Sequence, residues 1–455
     1  MKASSIIQLV GRGPGGPRGR LDRCHSVEDL QRLAARRLPR PVLDYIDGGA
    51  DTELSLAGNA AAFERYRFTP RVLADVSVPD TTTTALGRPA TLPLGLAPTG
   101  YTRMVNPAGE AAVAGAAAQA GIPYVLSTMA TTSLEDLAAL PAVAPADRWF
   151  QLYVWKDRGR TLDLVRRAAD AGYRVLEVAV DTAVPGNRLR DLRNGFTIPP
   201  RLTASSLLDI GSKPGYWTRM LRAPDLEFAN VSGGPAGYTI ENIGSQFDPS
   251  LTWRELAELR EAWNGKLLVK GPVGPADARR ARELGADGVH LSNHGGRQLD
   301  RTVAPVDLVA GVRVAAGEDF TIVVDSGIRH GADIAVALAH GADLAMVGRP
   351  YLWALAAGGE AGVARLIELL ASQFRRTMAL LGVASAAELR RRGPELLAAG
   401  PAAGPAGTAD PELSTADKAS IVSEATVRET AARGAALREL TVDKAPAPET
   451  APSHP

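Results

Sequence analysis

Polar and charged residues gather where the apolar runs of this chain end. One run passes into Ser292-Asn293-His294-Gly295-Gly296-Arg297-Gln298-Leu299-Asp300, a second closes on Lys270-Gly271, and a third closes on Asp181. A fourth carries Gln151 and Tyr153, while Asp325-Ser326-Gly327-Ile328-Arg329 and Gly348-Arg349-Pro350 follow two more. Burying polar groups costs free energy unless they find partners, so such a collection points to a bound ligand. A histidine alone is more often a hydrogen-bonded structural residue. His294, however, stands with Arg297 and with the carboxylate of Asp181, and a histidine steered by a carboxylate is a good proton acceptor near neutral pH. Proton abstraction from a small anionic substrate is the chemistry this set allows.

The glycine and arginine pairs read differently. Bare backbone N–H groups at Gly327 and Gly348, with Arg329 and Arg349 beside them, suit a phosphate dianion. Lys270 at the end of a buried strand is open to three readings: a Schiff-base nucleophile, a phosphate ligand, or a charge beside a cofactor. No G-x-G-x-x-G opens a helix after a strand, so a dinucleotide site of that kind is not expected.

The elements that must position these residues recur as a unit, a short β-branched run followed by an amphipathic helical pattern, which is the mark of parallel strands with crossover helices. Eight runs are counted: Leu92–Ala97, Tyr124–Ser127, Trp149–Val154, Val175–Asp181, Leu267–Lys270, Gly288–Asn293, Thr321–Asp325 and Leu344–Gly348. Helical patterns include Ala108–Gln119, Arg160–Asp170, Trp253–Trp263, Pro275–Glu283 and Ala332–His340, and Gly172, Gly285 and Gly341 stand where such helices would end in the left-handed conformation. The count of eight predicts an α/β fold, a closed (β/α)8 TIM barrel, whose catalytic groups sit at the strands' C-terminal ends and whose phosphate site follows the last two strands. About 70 residues separate Asp181 from Trp253. Connections that long are commonly active-site covers, and residues 205–248, with Tyr216, Trp217, Phe228 and Tyr238, are read as a lid.

The chain has 455 residues, of which 45% are hydrophobic and 22% charged, enough for one large packed domain. Residues 1–25 are Gly/Pro-rich and read as a flexible leader, 26–385 as the barrel, and 395–455 as an Ala/Pro-rich tail with a short helix expected around 415–440. Lysine plus arginine number 51 against 50 acidic residues, so no net field favours nucleic acid. Cys24 is the only cysteine, which excludes an intramolecular disulfide and a cysteine-based zinc site. No apolar stretch of about 18 residues occurs, so no transmembrane segment is expected. A cytoplasmic protein fits, with peripheral membrane contact left open.

Taken together these segments resemble the FMN-dependent 2-hydroxy acid oxidases and dehydrogenases, the family of glycolate oxidase, L-lactate dehydrogenase and mandelate dehydrogenase. The match covers roughly residues 26–385, and Ser292–Asp300 carries most of it, supported by Leu268-Val269-Lys270-Gly271 and Phe150-Gln151-Leu152-Tyr153. The resemblance implies FMN as cofactor and oxidation of an L-2-hydroxy acid to the 2-oxo acid. It makes His294 the catalytic base, Asp181 its orienting carboxylate, and Arg188 and Arg297 the clamps on the substrate carboxylate. Tyr45 and Tyr153 would contact the substrate. Lys270 would stabilise negative charge on the reduced ring. Pro98, Thr99, Gly100, Ser127, Gln151, Lys270 and Ser292 would hold the ring and ribityl chain. Asp325, Ser326, Gly327, Ile328, Arg329, Gly348 and Arg349 would take the ribityl and phosphate end. Three departures stand out: Ala179 where many members have threonine, Ser326 in a turn that is usually Asp-Gly-Gly, and Met129 where glycolate-type enzymes have tryptophan. The last suggests a substrate of lactate size or larger. Arg190 lies two residues beyond Arg188, in a segment, Val184–Asp191, that looks closer to the mandelate and bacterial lactate branch. The resemblance also implies a homo-oligomer, and leaves the electron acceptor open between oxygen and another carrier. The competing readings are another FMN-binding barrel, such as a flavin-dependent isomerase, and a redox-silent flavin-binding scaffold.

Overall fold

Eight short apolar strands alternate with helices in a computed structural model that describes residues 17–194, 211–231 and 244–399. The strands are β1 Leu94–Leu96, β2 Tyr124–Ser127, β3 Arg148–Tyr153, β4 Val175–Ala179, β5 Lys266–Gly271, β6 Gly288–Leu291, β7 Thr321–Val324 and β8 Leu344–Val347. Each pairs in parallel with the next, and β8 returns to β1 with Ala345 opposite Leu94. The sheet is a closed barrel. Several strands stop short of the apolar run that announces them. Asp181, Ser292, Asn293 and Asp325 lie just past the strand ends, at the mouth, where Ser292 and Asp325 extend the ladder by one bond each, donating from the backbone to the carbonyls of Gly271 and Leu291.

The expected helices form at Gly109–Ala120, Arg158–Asp170, Trp253–Ala262, Pro275–Glu283 and Gly331–Ala339. Their ends are locally encoded. Thr252 and Glu255 make a reciprocal capping box ahead of Trp253, and Gly172, Gly285 and Gly341 close helices at φ of 75°, 84° and 103°. In the barrel's lower interior Trp149, Val175, Leu268, Val323 and Leu344 form an apolar cluster with Ala85 and Leu86 from the hairpin Thr83–Ala85/Arg88–Ala90. That hairpin plugs the foot of the barrel, and Arg174 fastens it by donating to the carbonyls of Ala85 and Leu86.

The packed body begins earlier and ends later than residues 26–385. A helix at Pro17–Leu21 lies within the segment read as a leader, and Leu21 and Cys24 are buried because they pack on the helix Arg349–Gly358 and its surroundings. At the other end Ser385 caps a helix at Ala386–Leu396, and Leu397–Ala399 pairs antiparallel with Tyr66–Phe68. The helix expected around 415–440 lies outside the described residues. So does Tyr238 of the lid. The described part of the segment read as a lid holds a helix at Pro214–Met220, anchored by Tyr216, which is buried and donates to the Met104 carbonyl at 2.8 Å. Phe228 packs on Tyr101 with ring centres 5.0 Å apart. No helix among the described residues is long and apolar enough to cross a membrane.

Candidate active site

A cleft of about 1390 Å³, counting space open to solvent, opens at the strands' C-terminal ends. His294 faces it. Its Nδ1 lies 2.7 Å from Asp181 Oδ2 and its Nε2 2.9 Å from the Tyr153 hydroxyl. The backbone around it is sharply folded. His294 itself adopts φ 54°, and Gly295 follows at φ 66°, where a Cβ would strike the Arg349 guanidinium at 2.3 Å. The loop is held from below by Ser292, whose Oγ accepts from His294 N at 3.1 Å. At its end Asp300 accepts from Thr52 N, Ser55 N and Arg301 N. Burial pushes the Asp300 carboxyl up, but these N–H donors and the Thr52 hydroxyl outweigh it and hold it well below the usual carboxylate range.

Arg297 and Arg188 both line the cleft, as does Tyr45. Arg297 Nη1 donates to the carbonyls of Tyr45 and Gly48, and its guanidinium lies 4.9 Å from the centre of the Tyr45 ring. Desolvation, reinforced by the nearby Arg188, pushes the Arg297 pKa down. Arg190 is committed elsewhere, donating to Glu53 Oε2 at 2.5 Å. Of the two neighbouring arginines, the cleft therefore takes Arg188. The Tyr153 ring stacks on Phe247 at 4.6 Å, and Phe247, Phe228 and Met129 form an apolar wall. Burial raises the Tyr153 phenol far above its ordinary pKa, so it stays a donor.

The cofactor end is built from the remaining residues. Pro98, Thr99 and Gly100 follow β1 into the cleft, and Thr99 Oγ1 bonds the buried Tyr351 hydroxyl. Ser127, Gln151 and Ser292 form a layer behind it: Ser127 donates to Gln151 Oε1 at 2.9 Å, and Lys270 Nζ to Ser292 Oγ at 2.7 Å. Gln151 Nε2 is buried without a partner. Buried donors are ordinarily satisfied, so this one fits an acceptor on a bound ring. At Gly348 a Cβ would meet only Thr99 Cγ2, at 3.7 Å. It would instead occupy the cleft, which is why a close-lying ligand needs glycine here. Asp325, Ser326, Gly327, Ile328, Arg329 and Arg349 complete this end. The two arginines differ. Arg329 stacks over Trp353 at 5.0 Å, and its guanidinium donates to the Ile328 carbonyl. Arg349 donates to the carbonyls of Ile46, Gly295 and Gly48, and desolvation lowers its pKa to about 9. Arg349 thus braces the loops of Tyr45 and His294, while Arg329 is the freer cation.

A family model described as FMN-dependent dehydrogenase matches residues 34–395. The chain belongs to this family. It is an FMN-dependent enzyme that oxidises L-2-hydroxy acids. Among its relatives is a provisionally named L-lactate dehydrogenase of Mycobacterium tuberculosis (strain ATCC 25618 / H37Rv), 48% identical over 373 residues, covering 82% of this chain and 89% of that one. The 4-hydroxymandelate oxidase of Amycolatopsis orientalis is 40% identical over 366 residues, covering 80% and 97%. The crystal structure of a monotopic membrane (S)-mandelate dehydrogenase aligns with a TM-score of 0.78 at 38% identity, covering 83% of this chain and all of that one.

Three features of this FMN-dependent enzyme escaped the reading of its sequence. Gln298 ties the loops after β4 and β6 together, donating to the carbonyls of Asp181 and Val184 and accepting from Gly186 N. Asn59 and Asn293 exchange two amide bonds at 2.7 and 2.8 Å. Glu177 and His290 sit inside the barrel beneath the cleft. Only the last pair left a sequence signal, an ionisable residue in the middle of each of two apolar strands.

Proposed function

We propose that this enzyme oxidises an L-2-hydroxy acid at least as large as lactate, with His294 as the base that removes a proton from the substrate. The observation that carries this reading is the imidazole pinned by Asp181 on one nitrogen and turned on the other towards Tyr153 in a cleft that also holds Arg188 and Arg297. A carboxylate gripped by the two arginines and Tyr45 brings the adjacent hydroxyl to His294 Nε2 and the Tyr153 phenol. Asp181 fixes the tautomer and stabilises the imidazolium that forms. Gln151, Lys270 and the residues after β1 hold the ring, and Arg329 with the glycine backbone at 327 and 348 holds the phosphate. When bound, FMN supplies the acceptor for the two electrons that leave the substrate. Phe228 and Phe247 keep water from the reacting carbon, and Met129, unbranched and pliable, yields to a longer side chain.

The same reading takes the enzyme to be a homo-oligomer of the cytoplasm or of its membrane surface. Val72, Leu73 and Val78, which are 83%, 103% and 85% exposed, supply apolar area for a contact between copies. Light scattering and cell fractionation test this. For the reaction, purified enzyme is assayed with glycolate, L-lactate and L-mandelate, once with oxygen and once with a quinone as acceptor. The reading expects higher kcat/KM for lactate or mandelate than for glycolate, and the paired assays identify the acceptor. A clear preference for glycolate would overturn the size assignment. An isomerase or a redox-silent scaffold would form no 2-oxo acid.

A further inference from the structure

Below the cleft four ionisable side chains meet inside the barrel: Glu177 from β4, Lys270 from β5, His290 from β6 and Asp325 just past β7, all less than a tenth exposed. TIM-barrel interiors are normally filled by layers of branched apolar residues, and a buried charge costs several kcal/mol unless well paired. Lys270 and Asp325 line the cleft, whereas Glu177 and His290 do not. Their route to the site is through Asp325. His290 Nδ1 hydrogen-bonds Glu177 Oε1 at 3.1 Å, and His290 Nε2 lies 3.1 Å from Asp325 Oδ2, an ion-pair distance without hydrogen-bond geometry, so that link acts through charge. That same Oδ2 lies 3.4 Å from Lys270 Nζ. The other oxygen of Asp325 accepts from the Ser326 hydroxyl at 2.6 Å, and Ser326 Oγ accepts from Gly295 N at 3.0 Å, beside His294.

One carboxylate oxygen is thus shared between two candidate cations. We propose that Glu177 and His290 are positioning residues that set the charge of Lys270 towards the flavin: an imidazolium at His290, anchored by Glu177, competes for Asp325 and leaves the Lys270 ammonium available to the ring. The inference rests on the FMN site described above. Burial taken alone pushes His290 down, yet the carboxylates of Glu177 and Asp325 outweigh it and the repulsion of Lys270, so its pKa is raised. Burial likewise pushes Asp325 up, but Lys270 and His290 hold it far below the usual carboxylate range. The opposing arrangement is a neutral imidazole beside a protonated Glu177, whose Oε2 is buried without a partner. In that state neither residue would act on the flavin through charge.

The test is the midpoint potential of the FMN-loaded enzyme, measured by photoreduction against a reference dye with no hydroxy acid present. Glu177→Gln removes the carboxylate that anchors the imidazolium, so His290 becomes a neutral ring, Asp325 turns to Lys270, and the potential falls. His290→Gln removes the imidazolium, lets Asp325 neutralise Lys270, and lowers it. Each shift is expected to be about tenfold in the two-electron equilibrium constant, about 30 mV. Should either single variant fail to fold or to load FMN, the double variant Glu177→Val/His290→Ile, which leaves neither charge of the pair, is expected to sit below the wild type, and an unchanged potential in it overturns the proposal. A rise in either single variant, or no shift, also overturns it. Because no hydroxy acid takes part, failure here is distinct from failure of the catalytic reading, in which the wild type would show an ordinary potential yet not be reduced by substrate.

Discussion

At the foot of the barrel Trp149, Val175, Leu268, Val323 and Leu344 close around the hairpin residues Ala85 and Leu86, whereas two residues further along three of these strands the interior holds Gln151, Glu177 and Lys270. The chain is the same and the strand spacing is the same. What differs is the work each level does. The lower level gains from removing apolar area from water, roughly 25 cal/mol per Å². The upper level gives up that gain to hold polar and ionisable side chains at and beneath the cleft. A barrel can carry such a mouth because its foot is packed without polar atoms in need of partners, apart from the indole N–H of Trp149.

The sharpest way to break this contrast is to exchange the consequences of substitution at the two levels. His294→Ala should slow reduction of the bound flavin by about 10²–10⁴-fold, the usual worth of a general base. FMN content and melting temperature should change little, because the side chain projects into the cleft. Rapid-mixing absorbance reads the rate, and near-native reduction would place the base elsewhere. Trp149→Ala should do the reverse: a fully buried indole is lost, costing about 3–5 kcal/mol in chemical denaturation, while kcat per folded FMN-loaded molecule stays near the wild-type value.

Smaller effects sharpen the picture at the mouth. Arg188→Met should raise KM for the hydroxy acid roughly 30-fold, since truncating one partner of a desolvated charge pair costs 2 kcal/mol or more. Arg190→Met, which breaks the bond to Glu53, should lower the melting temperature and leave KM close to normal. An equal rise in KM for both would mean that Arg190 shares the carboxylate grip. Met129→Trp should move selectivity towards glycolate by roughly 1–3 kcal/mol, the range for a methylene-sized change in a pocket. The smallest effect concerns pH. Asp300 has a depressed native pKa, so its stabilisation is present above the unfolded value near 3.9 and is lost as pH falls through the native value. Asp300→Asn should therefore destabilise the protein at pH 7 by about 1–3 kcal/mol, with the difference shrinking as both proteins are taken to strong acid.

Much of this was legible in the residues themselves. The eight strands are marked by apolar runs bounded by glycine, and the joints at Gly172, Gly285 and Gly341 require a left-handed residue. Residues from Asp181, Tyr153, Arg297 and His294 meet because barrel strands all deliver their last residues to one end. What local pattern does not encode is long-range sharing. That Arg349 braces two loops instead of standing free, or that Arg188 and not Arg190 enters the cleft, depends on partners such as Ile46, Gly295 and Glu53 that are distant in the chain. The termini illustrate the same limit. Leu21 and Cys24 look unremarkable next to a Gly/Pro-rich stretch; the partners that bury them are far along the chain, the helix Arg349–Gly358 against Leu21 and Arg365 on the Cys24 carbonyl.

The central claim is that the charged mouth of this barrel binds an L-2-hydroxy acid and passes its electrons to FMN. Anaerobic mixing of the yellow enzyme with matched L and D enantiomers of lactate and mandelate tests it most directly. The account predicts stoichiometric bleaching of the flavin by an L acid, release of the 2-oxo acid, and no bleaching by its D partner. Bleaching by neither enantiomer, or equally by both, would contradict it.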